Sequence, residues 1–205
     1  MSQKNNRKLF GRARFAASGS TTPFVVLIGA SGSGKTTIAW AIEQCYPDDV
    51  AVFYFDRIGV PPIEEMITEY GSGEEWQRAR TIEWMANLAR LSGSARPLLF
   101  EGQTRLSFLA EGAEAAGAAY LPILLDCDDR TRAIRLSFER EQPELLNEEM
   151  MDWAGYLRRE ARKCGCEVLD TSKLSLEQCI SHVMDRLNGK KFSDLSPGRA
   201  PTLCA

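Results

Sequence analysis

The chain has little of what several common kinds of site require. Its 205 residues include one histidine, His182, and six cysteines that form no C-x-x-C pair. The spacing of Cys164 and Cys166 is too tight for an ordinary zinc knuckle, so the cysteines are interpreted as reduced thiols of a cytoplasmic protein. His182 falls on a predicted helix, where packing or surface exposure explains it better than catalysis.

Long apolar runs and an excess of one charge are also missing. No apolar segment approaches the ~20 residues of a transmembrane helix, and the N-terminus has no hydrophobic region of a signal peptide. We therefore expect a cytoplasmic protein without a membrane partner. A net charge of -3 gives no electrostatic reason to expect general nucleic-acid binding, although a nucleic-acid substrate stays open. The oligomeric state is not readable from the sequence.

Length and composition indicate one folded domain between two polar ends. The chain is 44% hydrophobic and 26% charged, as is usual for a globular protein. Residues 1–22 are basic and rich in Asn, Ser and Gly, which predicts a flexible arm. Residues 189–205 contain Ser196-Pro197-Gly198 and predict a disordered tail. The folded domain is therefore expected over residues 23–188.

Strand-like and helix-like segments alternate through this domain. Such alternation builds a parallel sheet with helices on both faces, and five strands are predicted. The expected strands are 24–28, 50–55, 97–100, 122–125 and 167–169. The first expected helix follows the first strand and ends near Cys45. Five more are expected over residues 63–70, 74–91, 106–116, 129–140 and 147–163. A last helix starts at Ser175, where Gln178 completes a capping box.

A phosphate-binding pattern, G-x-x-x-x-G-K-[ST], occupies residues 29–36 and follows the first strand. Its glycines let backbone N–H groups turn toward a phosphate, and the next helix aims its positive dipole end at the same anion. Lys35 is expected to reach the β- and γ-phosphates of ATP, and the Thr36 hydroxyl to bind Mg²⁺. The predicted nucleotide-binding residues are Gly29, Ala30, Ser31, Gly32, Ser33, Gly34, Lys35, Thr36 and Thr37.

Two other classes of nucleotide-binding protein carry signatures that this chain lacks. A GTPase needs an N-K-x-D guanine reader, and none occurs. A transport ATPase needs L-S-G-G-Q, which Leu91-Ser92-Gly93-Ser94 matches only in part and too close to the third strand. Neither class explains the phosphate loop of this chain.

Polar residues follow every predicted strand, and ligands of parallel sheets collect at the carboxyl ends of the strands. Asp56-Arg57 follows the second strand, and Glu101-Gly102-Gln103 follows the third. Asp56 and Glu101 therefore both fall at the sheet edge beside the phosphate loop.

With these residues the chain resembles the P-loop class of small-molecule and nucleotide kinases. This class includes the shikimate, gluconate, adenylylsulfate and nucleoside kinases and the chloramphenicol phosphotransferases. The resemblance spans about residues 23–188 and implies a three-layer α/β fold with the sheet order 2-3-1-4-5. It also implies that Glu101, where an aspartate is usual, supports Mg²⁺, and that Asp56 contacts the acceptor, whose hydroxyl it would orient or deprotonate. This favours an alcohol as the acceptor, while the adjacent Arg57 keeps a nucleoside monophosphate open.

The resemblance further implies a lid after the fourth strand, over about residues 138–148. This lid is short and lacks a zinc cluster. Arg135 and Arg140 are expected to act catalytically by closing over the transferring phosphoryl group. For Arg132 the choice between a lid residue and a helix-surface residue is left open.

The acceptor-binding region is expected in the helical pair of residues 59–93. Trp76, Gln77 and Arg80 are candidate contacts there, although core packing explains Trp76 and Trp84 better. The predicted substrate-binding residues are Arg57, Gln103 and Arg105.

The sequence thus predicts an ATP- and Mg²⁺-dependent kinase that acts on a hydroxyl group of a sugar, a nucleoside or a similar metabolite. The alternatives are a regulatory ATP-binding module without catalysis and a toxin-like or nucleic-acid-end kinase.

Overall fold

The computed structural model of the chain describes residues 24–93 and 96–189. The predicted arm, 1–22, and the predicted tail after Gly189 lie outside the described residues. The strands are β1 (Phe24–Ile28), β2 (Ala51–Tyr54), β3 (Leu98–Gly102), β4 (Tyr120–Asp126) and β5 (Glu167–Asp170). The α-helices are α1 (Lys35–Cys45), α2 (Ile63–Tyr70), α3 (Gly73–Leu91), α4 (Leu106–Ala116), α5 (Asp129–Ile134), α6 (Glu148–Cys164) and α7 (Leu176–Leu187).

The five strands form one parallel sheet in the order β2-β3-β1-β4-β5. This confirms the predicted fold class, including the strand order. Because β1 lies between β3 and β4, the loop that follows β1 is flanked by the ends of both neighbours. The carboxyl ends of β1 and β3 are in register, with Ile28 opposite Gly102. This edge of the sheet therefore brings the predicted site residues together.

Alternate residues of β1 belong to two separate hydrophobic clusters, one on each face of the sheet. Val25 and Leu27 pack with buried residues of α1 and α7. Phe24, Val26 and Ile28 pack with buried residues of α3, α4 and α6. A strand that is buried on both faces needs an apolar residue at every position, and all five residues of β1 are buried. The result is a three-layer arrangement of helices, sheet and helices.

The aromatic residues of α3 belong to this core. Trp76 is buried and meets the ring of Phe55 edge-on, with ring centroids 5.8 Å apart. Trp84 packs on Phe100 at 5.2 Å. Core packing, the preferred interpretation of both tryptophans, is therefore confirmed. Arg80, a candidate acceptor contact, pairs instead with Tyr70 and with Glu83 on its own helix.

The predicted helix over 129–140 is interrupted. The α-helix ends at Ile134 and continues as one wider π-helical turn, Arg135–Glu139, in which the N–H of Arg140 donates to the carbonyl of Arg135. The next residue, Glu141, has a left-handed backbone with φ 53°. Among the described helices, none is long and apolar enough to cross a lipid bilayer.

Candidate active site

The phosphate loop connects β1 to α1 through two glycines with left-handed backbones, Gly32 at φ 77° and Gly34 at φ 88°. Other residues pay a steric cost in this conformation, because their Cβ atom approaches the backbone. Gly34 is also the residue before α1, and it provides no side-chain cap. The first turn of α1 contains no acidic residue. Its N–H groups are therefore left for an anion.

Three side chains from outside the loop hold its carbonyl groups. Arg132 donates from Nη1 to the carbonyl of Ser31 at 2.5 Å. Arg135 donates from Nη1 to the carbonyl of Gly32 at 3.1 Å. The Thr171 hydroxyl donates to the carbonyl of Ser33 at 2.9 Å. Because these carbonyls are engaged on the outside of the loop, the peptide groups are fixed without using the N–H groups of the loop.

Arg132 therefore has a structural position in this loop. Its side chain is fully buried, and a second nitrogen, Nη2, donates to Asp126 at 2.9 Å. This answers the question left open by the sequence, since a side chain with no exposure does not lie on a helix surface. Arg135 also donates to the carbonyl and hydroxyl oxygens of Thr171, so much of its guanidinium is occupied by the loop region.

Lys35, Thr36 and Glu101 meet at the mouth of the loop. Lys35 Nζ lies 3.6 Å from Glu101 Oε1, and the Thr36 hydroxyl donates to the same oxygen at 3.2 Å. Burial lowers the pKa of Lys35, which the charge of Glu101 opposes. Burial also raises the pKa of Glu101, which Lys35 and Thr36 oppose. An added anion such as a triphosphate would favour the charged form of Lys35.

The oxygens of Thr36 and Glu101 suit Mg²⁺, which prefers hard oxygen ligands and commonly takes one or two carboxylates together with substrate phosphates. No group of three or more His, Cys, Asp or Glu side chains that could hold a metal occurs in residues 24–93 and 96–189. A site completed by phosphate oxygens needs no such group. The donor set therefore fits Mg²⁺ that enters with a nucleotide.

Asp56 and Arg57 lie on a short 3₁₀ turn, Phe55–Ile58, directly after β2. Arg57 lies over the ring of Tyr54 at 4.2 Å and pairs with Glu43 of α1 at 3.2 Å. The Tyr54 hydroxyl donates to the same carboxylate at 2.8 Å. These contacts hold the turn against α1, and they leave the Asp56 carboxylate exposed at the sheet edge.

One pocket of about 820 Å³ brings most of the predicted site together. We call it the donor pocket. Its charged lining residues are Lys35, Asp56, Arg57, Glu101, Arg135, Glu139 and Arg140. Within the described residues, the guanidinium of Arg140 has no ion-pair partner. Burial has the largest effect on the pKa of Lys35 and lowers it, the charge of Glu101 raises it, and the charge of Arg140 lowers it by a smaller amount.

Gln103 and Arg105 line a second pocket, of about 740 Å³, which we call the ring pocket. Arg105 pairs with Glu74 at 2.8 Å and lies near the rings of Trp153 and Tyr156. Gln103 joins the ring pocket to the phosphate loop, because its Oε1 accepts from the Ser31 hydroxyl at 3.4 Å. The predicted substrate residues are thus divided, with Arg57 in one pocket and the other two in its neighbour.

Several solved structures share the fold of this chain. A tunicamycin resistance protein from Deinococcus radiodurans aligns over 83% of this chain and 97% of its own, with a TM-score of 0.60 and 20% identity. Shikimate kinase from Acinetobacter baumannii, in complex with shikimate, aligns over 84% of this chain and 96% of its own, with a TM-score of 0.56 and 16% identity. A sugar kinase from a Janibacter species aligns over 82% of this chain and 95% of its own, with a TM-score of 0.56 and 23% identity.

The chain has the P-loop kinase fold. No family model and no curated protein sequence matches it. Because the aligned structures are all less than 25% identical, the likeness establishes the fold and leaves the substrate undetermined.

Two groups of residues in this P-loop kinase fold escaped the sequence-based prediction. The first is the aromatic pair Trp153 and Tyr156 on α6, whose rings are parallel within 16° at 5.3 Å. Their spacing of three residues places them on one face of a helix, and that signal was available. The second is Asp126, whose two carboxylate oxygens accept from Arg132 and Arg158. No local pattern indicates this pairing, because Arg158 is 32 residues away in the chain.

Proposed function

We propose that the protein is an ATP-dependent kinase that transfers the γ-phosphoryl group to a hydroxyl group of a small molecule. The observation that carries the proposal is the shared lining of the donor pocket. The phosphate loop with the uncapped start of α1, a buried lysine and an exposed carboxylate, Asp56, all face one space. Phosphoryl transfer needs positioning and charge neutralisation more than covalent chemistry from the protein, and this pocket supplies both.

In the proposed reaction, the acceptor oxygen forms a bond to the γ-phosphorus atom. The bond between that atom and the β–γ bridging oxygen breaks, and ADP leaves. The hydroxyl proton passes to the carboxylate of Asp56 and then to water. Lys35 stabilises the charge on the phosphate oxygens, and Arg140, whose guanidinium is free among the described residues, is available to do the same. Mg²⁺, held by Thr36 and Glu101, would neutralise further charge on the β- and γ-phosphates.

The first test concerns Asp56. We expect Asp56→Asn to lower acceptor-dependent ADP formation by about 100-fold or more, since an asparagine cannot take the proton. ATP affinity, measured by calorimetry, should change by less than about threefold, because the carboxylate is not assigned to the donor phosphates. Asp49→Asn, an exposed aspartate in the turn before β2, is the matched control and should behave as the wild type.

Two outcomes would contradict the proposal at different points. Normal turnover in Asp56→Asn would show that Asp56 has no role in the reaction, although the protein would still be a kinase. ATP binding by the wild type, without ADP formation with any sugar, nucleoside, antibiotic or cofactor precursor, would favour the regulatory ATP-binding module.

A further inference from the structure

The ring pocket lies beside the phosphate loop and is built from three parts of the chain. The start of α3 contributes Gln77, the segment after β3 contributes Gln103, and α6 contributes the opposite wall. The Gln77 side chain donates from Nε2 to the carbonyl of Gln103 at 2.9 Å. Since Gln103 also accepts from Ser31, the floor of the ring pocket is joined to the loop by hydrogen bonds. A ligand in this pocket would therefore lie next to the bound nucleotide.

The α6 wall of the pocket is aromatic, and a guanidinium lies over its rings. Trp153 and Tyr156 stack on each other, and both pack against the hydrophobic cluster on this face of the sheet. Arg105 lies 5.3 Å and 4.9 Å from the two ring centroids, and its pairing with Glu74 fixes it there. Because these groups are already held by the protein, a flat ligand ring would stack on them without ordering new side chains.

The floor offers one free hydrogen-bond acceptor and one free donor. Gln77 uses its amide nitrogen and Gln103 uses its amide oxygen. The remaining halves of the two amides, Gln77 Oε1 and Gln103 Nε2, have no hydrogen-bond partner within the described part of the chain. An acceptor and a donor beside aromatic rings and a guanidinium match the edge and the face of a heteroaromatic base.

The charges of the ring pocket disfavour an anionic ligand. Its lining contains three carboxylates, Glu74, Glu149 and Asp152, and two guanidiniums, Arg105 and Arg159. Arg105 and Glu74 neutralise each other at 2.8 Å, and two carboxylates and one guanidinium remain. The donor pocket differs, because its four cations, Lys35 and three arginines, outnumber its three carboxylates and lie beside the phosphate loop. A phosphate is thus favoured in the donor pocket and disfavoured in the ring pocket.

We propose that the ring pocket binds the base of a nucleoside acceptor, a planar heteroaromatic ring joined to a hydroxylated sugar and free of phosphate or carboxylate groups. The sugar hydroxyl would extend past Gln103 to the phosphate loop and receive the phosphoryl group by the reaction described above. This assignment rests on the proposed kinase function for the transfer itself, whereas binding of the base depends only on the pocket.

The test is a calorimetric titration with the donor pocket filled by a non-hydrolysable ATP analogue and Mg²⁺. The probes are adenosine, guanosine, uridine, cytidine and thymidine, the 5′-monophosphate of each, and shikimate and gluconate. We expect at least one nucleoside to bind about tenfold more tightly than its monophosphate and than either acid. The double variant Trp153→Leu/Tyr156→Leu should weaken that binding by about tenfold or more, because stacking is lost.

A second variant does not depend on the aromatic core. Glu149→Gln/Asp152→Asn changes two exposed side chains, and it should reduce the discrimination against the monophosphate. Glu148→Gln is the matched control on the same helical turn, since Glu148 does not line the pocket. Unaltered discrimination in the double variant would contradict the charge argument.

The outcomes separate this inference from the proposed function. Tighter binding of shikimate or gluconate, or no binding by any nucleoside, would overturn the inference. ADP formation with a sugar acid alone would overturn it and leave the kinase in place. Nucleoside binding that is lost in the aromatic variant, without ADP formation, would support the pocket assignment and contradict the kinase.

Discussion

At the scale of single residues, the phosphate loop depends on a glycine that touches a structural arginine. A Cβ atom at Gly32 would lie 3.1 Å from Cγ of Arg132 and 3.3 Å from Cγ of Leu136, at φ 77°. Gly117, at the end of α4, has a similar φ of 60°, but a Cβ atom there would meet nothing within 4 Å. A residue with a Cβ atom would therefore have a strained backbone at both positions, but only at position 32 would it press on the side chains that hold the phosphate loop.

We expect Gly32→Ala to lower the free energy of unfolding by roughly 1–2 kcal/mol and to weaken ATP binding by about tenfold or more. The physical reason is that the new methyl group displaces the loop whose N–H groups face the phosphates. Gly117→Ala should lower stability by about 1 kcal/mol and leave ATP affinity unchanged. Chemical denaturation and calorimetry measure the two quantities. Equal ATP affinity in both variants would show that the loop tolerates the displacement.

A second residue, far from the pockets, makes stability depend on pH. Glu167 of β5 accepts from His182 at 2.5 Å and from Arg186 Nε at 2.9 Å. Burial alone would raise the pKa of Glu167, but the hydrogen bonds from His182 and Arg186 outweigh it and lower the pKa to about 2. The unfolded chain binds the proton at a higher pH, so the stabilisation is complete above about pH 4.5 and is lost as the pH falls toward 2.

We therefore expect acid denaturation curves of the wild type to show an added loss of roughly 3 kcal/mol between about pH 4.5 and 2, compared with Glu167→Gln. The variant is expected to be less stable at neutral pH, because buried Arg186 loses its ion pair with the Glu167 carboxylate, but its stability should fall less steeply with acid. Unfolding free energies measured by urea titration across this range provide the test. Parallel slopes in the two proteins would contradict the assignment.

Residues of a local motif were predictable from the sequence, and residues defined by distant contacts were not. The loop residues 29–36 follow a spacing that one strand–helix connection requires. The structural position of Arg132 depends on Ser31, 101 residues away, and a single sequence contains no signal for that pairing. The roles of Asp56 and Arg140 in catalysis stay predictions.

At the scale of elements, two arginines and one aspartate connect α5, β4 and α6. Asp126 at the end of β4 accepts from Arg132 of α5 at 2.9 Å and from Arg158 of α6 at 2.5 Å. Arg158 also donates to the carbonyl of Cys127 at 2.9 Å. Through Arg132 this connection reaches Ser31, and through Arg158 it reaches the helix that forms the wall of the ring pocket. The position of α6 relative to the phosphate loop is thus fixed by charge pairs.

We expect Arg158→Gln to raise the KM for the acceptor by about tenfold, equivalent to ~1.4 kcal/mol, because α6 is no longer held against β4. The KM for ATP should change little, since Arg132 still holds the loop. Arg158→Lys should recover part of the loss by keeping one charge-assisted contact. Arg162→Gln, on the exposed surface of the same helix, is the control. Steady-state kinetics measure both constants, and an equal rise in both would indicate general loosening.

The elements themselves were largely predictable, because strands buried on both faces are continuous apolar runs. The predicted and observed bounds of β1 coincide, and those of β4 differ by two residues at its start and one at its end. The π-helical turn at Arg135–Glu139 was not predicted. Within this turn Arg135 reaches Gly32 and Thr171, and helical periodicity alone does not report such contacts.

At the scale of the whole molecule, two pockets open beside each other at one edge of the sheet. The donor pocket carries positive charge and the phosphate loop, and the ring pocket carries aromatic rings and carboxylates. Gln103 of the ring pocket accepts a hydrogen bond from Ser31 of the phosphate loop. Under the proposed function, the triphosphate would occupy the donor pocket and the acceptor the ring pocket, two sites that a transfer reaction needs and a nucleotide switch does not.

The most direct measurement of the kinase claim is the destination of the γ-phosphate. The wild type is incubated with ATP labelled at that position, Mg²⁺ and a mixed panel of sugars and nucleosides, and the products are separated by chromatography. We predict label in a phosphorylated acceptor, one ADP formed for each product, and no such product with Lys35→Ala. Label found only in ATP or in inorganic phosphate, with every acceptor unchanged, would contradict the claim.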